Sequence, residues 1–170
     1  TNMPNQNKPS PQTSLTGYAT QGAQMQQGRA NGKQRELNAD ELLNMNPADL
    51  NKYITSNYVY TVMIPGSITS IEELMRAQPV LSRSGQFSVF MESMRLTACI
   101  QKGVFKNAAA LEPDKDKKAA FKKQEDEMRQ REQIFKSAVD RLDKIYSTTS
   151  RLISMKTAAD KTDNMNKGNA

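Results

Sequence analysis

The chain has 170 residues and a formal net charge of +6, and only 36% of its residues are hydrophobic, against roughly 45–50% in ordinary globular domains. A core can therefore form only if the apolar residues are concentrated in part of the chain. Histidine is absent and Cys99 is the single cysteine, which excludes zinc and iron sites of the usual ligand types, a disulfide framework and catalysis by an imidazole base. We expect neither a cofactor nor a metal ion.

Residues 1–36 are dominated by Gln, Asn, Ser, Thr, Gly and Pro. They hold too few apolar side chains to offset the entropy lost on ordering, so the sequence predicts a disordered arm. The arm carries four basic residues and one acidic residue. Three functions stay open for it: a passive tail, an arm that becomes ordered along neighbouring subunits, and an unstructured leader for export.

Residues 37–112 are predicted to hold short helices and a middle helix. Asn38 suits the N-cap of a first short helix, and Asn46 before Pro47 is a strong start for a second. The run at 58–64 is rich in β-branched and aromatic residues and suits a strand as well as a helix. Because it is the only such run, we favour a helix that continues to the turn at Pro65-Gly66, since a strand would need a partner in another chain.

The middle helix is predicted to begin after a helix stop. Thr69 and Glu72 have the spacing of a capping box, which predicts a short helix that ends near Pro79. Residues 81–85 read as a polar break, and a helix of about 20 residues comes after it. The apolar face of this middle helix is formed by Phe87, Phe90, Met91, Met94, Ala98, Cys99 and Val104 or Phe105.

Residues 113–160 predict one long helix, because Pro113 and two acidic residues suit its first turn and neither Gly nor Pro interrupts the remainder. Apolar residues recur in it every seven positions, with further ones three residues later, as in a coiled coil. The tail at 161–170 is expected to fray. The sequence thus predicts an all-α fold, in which short N-terminal helices and a middle helix pack on one long C-terminal helix behind a disordered polar arm.

The length of the last helix raises the question of which surface covers its apolar stripe. A helix of about 45 residues reaches about 65 Å, further than a body of about 120 residues can cover from one side. Part of the stripe is therefore predicted to contact a second copy or another protein, with methionines as adaptable contacts. The residues predicted for this protein interface are Phe121, Met128, Phe135, Leu142, Ile145 and Leu152, with Phe87, Phe90, Met91 and Met94 on the opposing face.

These features favour a non-enzymatic function as a structural or adaptor subunit of a larger assembly, such as a secretion apparatus, a virion or a multi-subunit complex. The chain has no glycine-rich phosphate-binding loop and no nucleophile elbow. Its paired carboxylates lie on helix faces that are predicted to be exposed. We therefore do not expect an enzyme.

The alternative hypothesis is a nucleic-acid-binding accessory protein. It would use basic residues of the arm (Arg29, Lys33 and Arg35) and a lysine cluster at the start of the long helix. The lysines predicted to contact anions are Lys115, Lys118, Lys122 and Lys123.

The expected location rests on two absences in the sequence. No run of about 18 apolar residues is present, which excludes a transmembrane helix, and the polar start lacks the apolar centre of a secretory signal. We expect a soluble protein, cytoplasmic or within an assembled particle. The sequence leaves its oligomeric state open.

Overall fold

The computed structural model describes residues 35–168, and every regular element in that part of the chain is helical. The elements are α1 (Ala39–Asn44), α2 (Pro47–Ile54), a π-helical segment (Thr55–Val59), α3 (Ile71–Leu111) and α4 (Lys115–Gly168). The prediction of an all-α fold with a middle helix on a long C-terminal helix is confirmed. The predicted disordered arm at 1–36 lies outside the described residues, apart from its last two positions.

The two short helices begin where their capping residues predict. The Asn38 side-chain oxygen accepts a hydrogen bond from the Glu41 backbone N–H at 2.9 Å. The Asn46 side-chain oxygen accepts one from the Ala48 N–H at the same distance, and Pro47 occupies the first position of α2. These bonds satisfy N–H groups that have no partner inside the helix.

The capping box of α3 lies one residue later than predicted. Ser70 is the N-cap, and its hydroxyl accepts a hydrogen bond from the Glu73 N–H at 3.1 Å. The Glu73 carboxylate in turn accepts a bond from the Thr69 N–H at 2.6 Å. Ser70 and Glu73, not Thr69 and Glu72, therefore close the box, because either hydroxyl suits an N-cap and the sequence alone does not choose between them.

The predicted helix stop near Pro79 and the predicted break at 81–85 are both wrong, because α3 runs unbroken through them. Pro79 cannot donate a hydrogen bond to the preceding turn. Ala77 and Ser84 on either side of it are nevertheless buried. Gly85 sits where a Cβ would meet the Tyr146 ring at 3.3 Å, so glycine here permits a close approach of α4. Packing against α4 outweighs the local preference to end the helix.

The core of the protein lies between α3 and α4, which form an antiparallel helical hairpin. The buried positions of α4 succeed one another at alternating steps of three and four, which is the heptad seam that the sequence predicts. They are Met128, Arg131, Phe135, Ala138, Leu142, Ile145 and Thr149.

Helix α4 continues to Gly168, so the tail expected to fray from 161 is helical through residue 168. All its residues from 161 to 168 are exposed. Their side chains contribute little packing in this chain.

The N-terminal elements lie over the hairpin, since α1 contacts α3 while α2 and the π-helical segment contact α4. Tyr58 anchors this layer, with its ring 5.1 Å from that of Phe87 and 5.7 Å from that of Phe90. The run at 58–64 forms no strand: the helical conformation ends at Val59, earlier than the turn at Pro65-Gly66 that we favoured. Burial of Tyr58, Val59 and Val62 accounts for the apolar composition of the run.

A buried charge connects the short helices to the hairpin. Arg131 occupies a seam position of α4, and its Nε donates a hydrogen bond to the Met45 carbonyl at the end of α1, at 2.8 Å. Glu127 lies 3.6 Å from the same guanidinium group. The cation thereby satisfies a carbonyl at a helix C-terminus, where positive charge is favoured.

Replacing Pro79 by alanine should stabilise the protein. Pro79→Ala restores a donor inside α3 and removes a ring clash, so we expect the free energy of unfolding to rise by about 1–3 kcal/mol in urea titrations. Gln78→Ala is the matched control at the exposed neighbouring position and should change it by less than about 0.5 kcal/mol. A loss of stability in Pro79→Ala would show that α3 does not run through this site.

The seam residue Thr149 gives a second stability prediction. Its hydroxyl is the one buried side-chain polar atom without a hydrogen-bond partner among residues 35–168. Thr149→Val keeps the shape and removes this hydroxyl, so we expect the protein to gain about 1 kcal/mol in thermal or urea unfolding. Thr157→Val, at an exposed threonine whose hydroxyl bonds the Ile153 carbonyl, should have no such benefit. An equal change in unfolding free energy in both variants would contradict the conclusion that the Thr149 hydroxyl is buried without a hydrogen-bond partner.

Candidate functional site

Most of the residues predicted to form a protein interface are core residues of this chain. Seven of the ten are buried between the helices, and Phe90, Phe121 and Leu152 are half-buried. They are covered within the single chain because α3 is about twice as long as expected and packs along most of the α4 stripe; their contact with another chain stays a prediction. The seven buried residues are Phe87, Met91, Met94, Met128, Phe135, Leu142 and Ile145.

A different apolar surface is exposed, on the side of α3 that faces away from α4. Its positions succeed one another along the whole helix in steps of three and four, so they share one face. We call this surface the outer stripe. It comprises Ile71, Met75, Gln78, Ser82, Gln86, Val89, Ser93, Leu96, Ile100, Val104, Asn107 and Leu111.

Seven of the twelve side chains in the outer stripe are large and apolar, and none is charged. Their exposure is high, reaching 73% at Val89, 69% at Ile100 and 84% at Leu111. The charged residues of α3 all lie on its flanks or on the side packed against α4. A solvated helix face normally carries charges, and scattered apolar residues need no explanation. A face that carries no charge over its full length, with exposed apolar residues at most positions from Val89 to Leu111, is typical of a contact surface.

The outer stripe was not predicted from the sequence, although its signal is present. The predicted break at 81–85 divided α3, so the regular spacing from residue 71 to residue 111 could not be followed. Val104 was placed on the inner face as an alternative to Phe105. In the structure Phe105 is half-buried, whereas Val104 is 60% exposed. The two apolar faces of α3 can be told apart only by which of them is buried in the folded structure.

The predicted anion-binding lysines lie at the start of α4. Lys115, Lys122 and Lys123 are exposed and Lys118 is half-buried. Lys122 and Lys123 line an open cleft of about 620 Å³ between α4 and the start of α2, and Asp126 and Glu127 line the same cleft. Negative charge in the cleft offsets the lysines, so its chemistry does not select for phosphate.

The titratable groups with shifted pKa values form structural bonds. Hydrogen bonds from Thr69 lower the pKa of the Glu73 carboxyl, and a hydrogen bond from Arg95 lowers that of Glu92. Lys102 on α3 bonds Glu132 on α4 at 2.6 Å and lowers the pKa of that carboxyl.

No group of three or more metal-ligating side chains occurs within residues 35–168.

A search of family models, curated proteins and solved structures gave no match to this chain. No helix between residues 35 and 168 is both long enough and apolar enough to cross a bilayer.

The Lys102–Glu132 bond predicts a pH dependence of stability. The pKa of Glu132 is lower in the folded protein than its ordinary value of 4.5, so its contribution is complete above that value and is lost as the pH falls through the folded pKa. Glu132→Gln should therefore cost about 1 kcal/mol at pH 7, measured by urea unfolding, and progressively less below about pH 4. Asp126→Asn, which removes a surface ion pair with Arg129, is the control and should show little effect at either pH. A Glu132→Gln deficit that persists unchanged at pH 3 would contradict this account.

Proposed function

We propose that the protein is a non-enzymatic structural or adaptor subunit that joins a larger assembly through helix-to-helix contacts made by the outer stripe. The observation that carries this proposal is the outer stripe of α3, which carries no charge over about 60 Å and is mainly apolar from Val89 to Leu111, along a helix whose opposite face already forms the core. A helix with two apolar faces is suited to lie between two neighbours.

The rest of the hairpin supports a role as a rigid element. The seam of α4 is filled by side chains of heptad spacing, and the short helices cover the hairpin groove. The outer stripe is therefore held on a single long helix, and its positions keep a fixed spacing. A rigid helical surface loses little conformational entropy when it binds, which favours permanent or repeated assembly.

Nucleic-acid binding is the competing function, and no described contact favours it over ordinary solvation of the lysines. The two functions differ in their response to salt. Phosphate contacts weaken steeply as the salt concentration rises, whereas an apolar contact does not. Binding measured at low and high salt therefore distinguishes the two functions.

Photo-crosslinking in the cells that naturally make the protein tests the proposal. A benzoylphenylalanine at position 100, in the outer stripe, should give adducts with protein chains that form equally in 0.1 M and 1 M NaCl lysates. The same group at position 137, an exposed serine on α4, should give few or none. Leu96→Glu places a charge beside position 100 at a half-exposed site, so we expect it to lower the adduct yield about tenfold or more without changing helical content.

Two outcomes would overturn the proposal. Equal adduct formation at positions 100 and 137 would show that the outer stripe is not a preferred contact. Adducts confined to nucleic acid, and lost in 1 M NaCl, would support the accessory nucleic-acid-binding function instead.

A further inference from the structure

The C-terminal half of the outer stripe is symmetric about Ile100. Seven stripe positions between 89 and 111 are spaced by steps of four, three, four, four, three and four, so the spacing reads the same in both directions. The chemistry is symmetric as well: the two uncharged polar residues stand seven positions before and after the centre, and every other position is apolar. In order, the residues are Val89, Ser93, Leu96, Ile100, Val104, Asn107 and Leu111.

This symmetry is the property that a two-fold antiparallel helix pair requires. In such a pair each contact occurs twice, because residue i of one copy meets residue j of the other and j meets i. A register centred on Ile100 places it beside its own copy, and places Leu96 beside the second copy's Val104. Val89 then meets Leu111, and Ser93 meets Asn107. All apolar positions meet apolar positions, and the polar ones meet each other.

The flanking charges of α3 are compatible with the same register. Glu92 and Lys106 are fourteen residues apart, close to four full turns, so they lie on the same side of α3. A two-fold axis keeps that side adjacent in both copies. Glu92 of one copy then lies within about 3 Å, measured along the helix axis, of the level of the second copy's Lys106. Arg95, which pairs with Glu92, lies on the same side, so this flank brings charges of both signs near Lys106. The other flank carries the uncharged Thr97 and Gln101 over the same stretch.

The stripe positions outside the symmetric half are less suited to a partner. Gln78, Ser82 and Gln86 are polar and lie just beyond the overlap of the two copies in this register. A parallel pair would bury them against their own copies, and it would require no symmetry in the sequence. The arm of this chain is also a poor occupant, since residues 1–34 contain only four large apolar side chains, spread over more than twenty positions.

Resting on the proposed subunit function, we propose that the occupant of the outer stripe is a second copy of this chain, bound antiparallel through α3 with the two-fold axis at Ile100. The overlap is about 33 Å long and about 10 Å wide, which buries less than the roughly 1,000 Å² in total that a stable dimer needs. The dimer is therefore reversible, with a dissociation constant on the order of micromolar, and is strengthened by repetition within an assembly.

Disulfide trapping tests the register. Single-cysteine variants are made in a Cys99→Ala background, and purified protein is oxidised at high concentration. Ile100→Cys should crosslink to itself. Leu96→Cys mixed with Val104→Cys should form at least about ten times more disulfide than either variant alone, because two copies of residue 96 would stand about 12 Å apart along the axis, too far for a bond. Ser82→Cys, exposed in the outer stripe but outside the overlap, is the control and should remain monomeric.

The outcomes separate this inference from the function on which it rests. Crosslinking of Leu96→Cys alone at the level of the mixture would show parallel pairing and overturn the antiparallel register. The absence of crosslinks in Ile100→Cys and in the mixture, with a mass that stays monomeric at 1 mM by light scattering, would overturn self-association. If adducts at position 100 in cells then contain only other proteins, the subunit function stands while this inference falls; if no adducts form at that position, both fall.

Discussion

The structure depends on the seam between α3 and α4. Alternating steps of three and four bring Met128, Phe135, Leu142 and Ile145 to one side of α4, and the opposing residues of α3 meet them along most of their shared length. Burial of this face is the main source of stability for both long helices, because helices in proteins are stabilised mostly by tertiary packing of an amphipathic face. The seam also explains why α3 passes through Pro79 and Gly85: the burial gained on both sides of these residues outweighs their local cost.

The seam is not uniformly apolar, and its polar members link the parts of the fold. Arg131 lies at a seam position and bonds the end of α1, while Ser88 on α3 donates a hydrogen bond to Asp143 on α4. Lys102 and Glu132 connect the same two helices nearer the hairpin turn. Such contacts contribute on the order of 1 kcal/mol or less each, and they also fix the register of one helix against the other.

The outer stripe gives α3 a second apolar face, directly opposite the first. The core uses one face and leaves the other exposed, which is the property expected of an element placed between two layers. Charged residues are excluded from the stripe over its full length, although they are frequent elsewhere on the chain. The symmetric arrangement about Ile100 further suits a contact between identical helices, in which each half of the surface must match the other.

Composition, periodicity and capping residues were enough to predict an all-α fold, the starts of α1 and α2, and the heptad seam of α4, because these features depend on residues close together in the sequence. The continuity of α3 could not be predicted, since Pro79 and residues 81–85 locally favour a break and only contact with α4 overrides it. Whether an apolar residue is buried or exposed also depends on the contact between α3 and α4. Phe135 and Leu142 are buried in the chain's own core, while Ile100 and Leu111 are exposed, yet all four are large apolar residues at helical spacing. Which face of a helix is covered depends on the element that packs beside it, and that was decided by the tertiary structure alone.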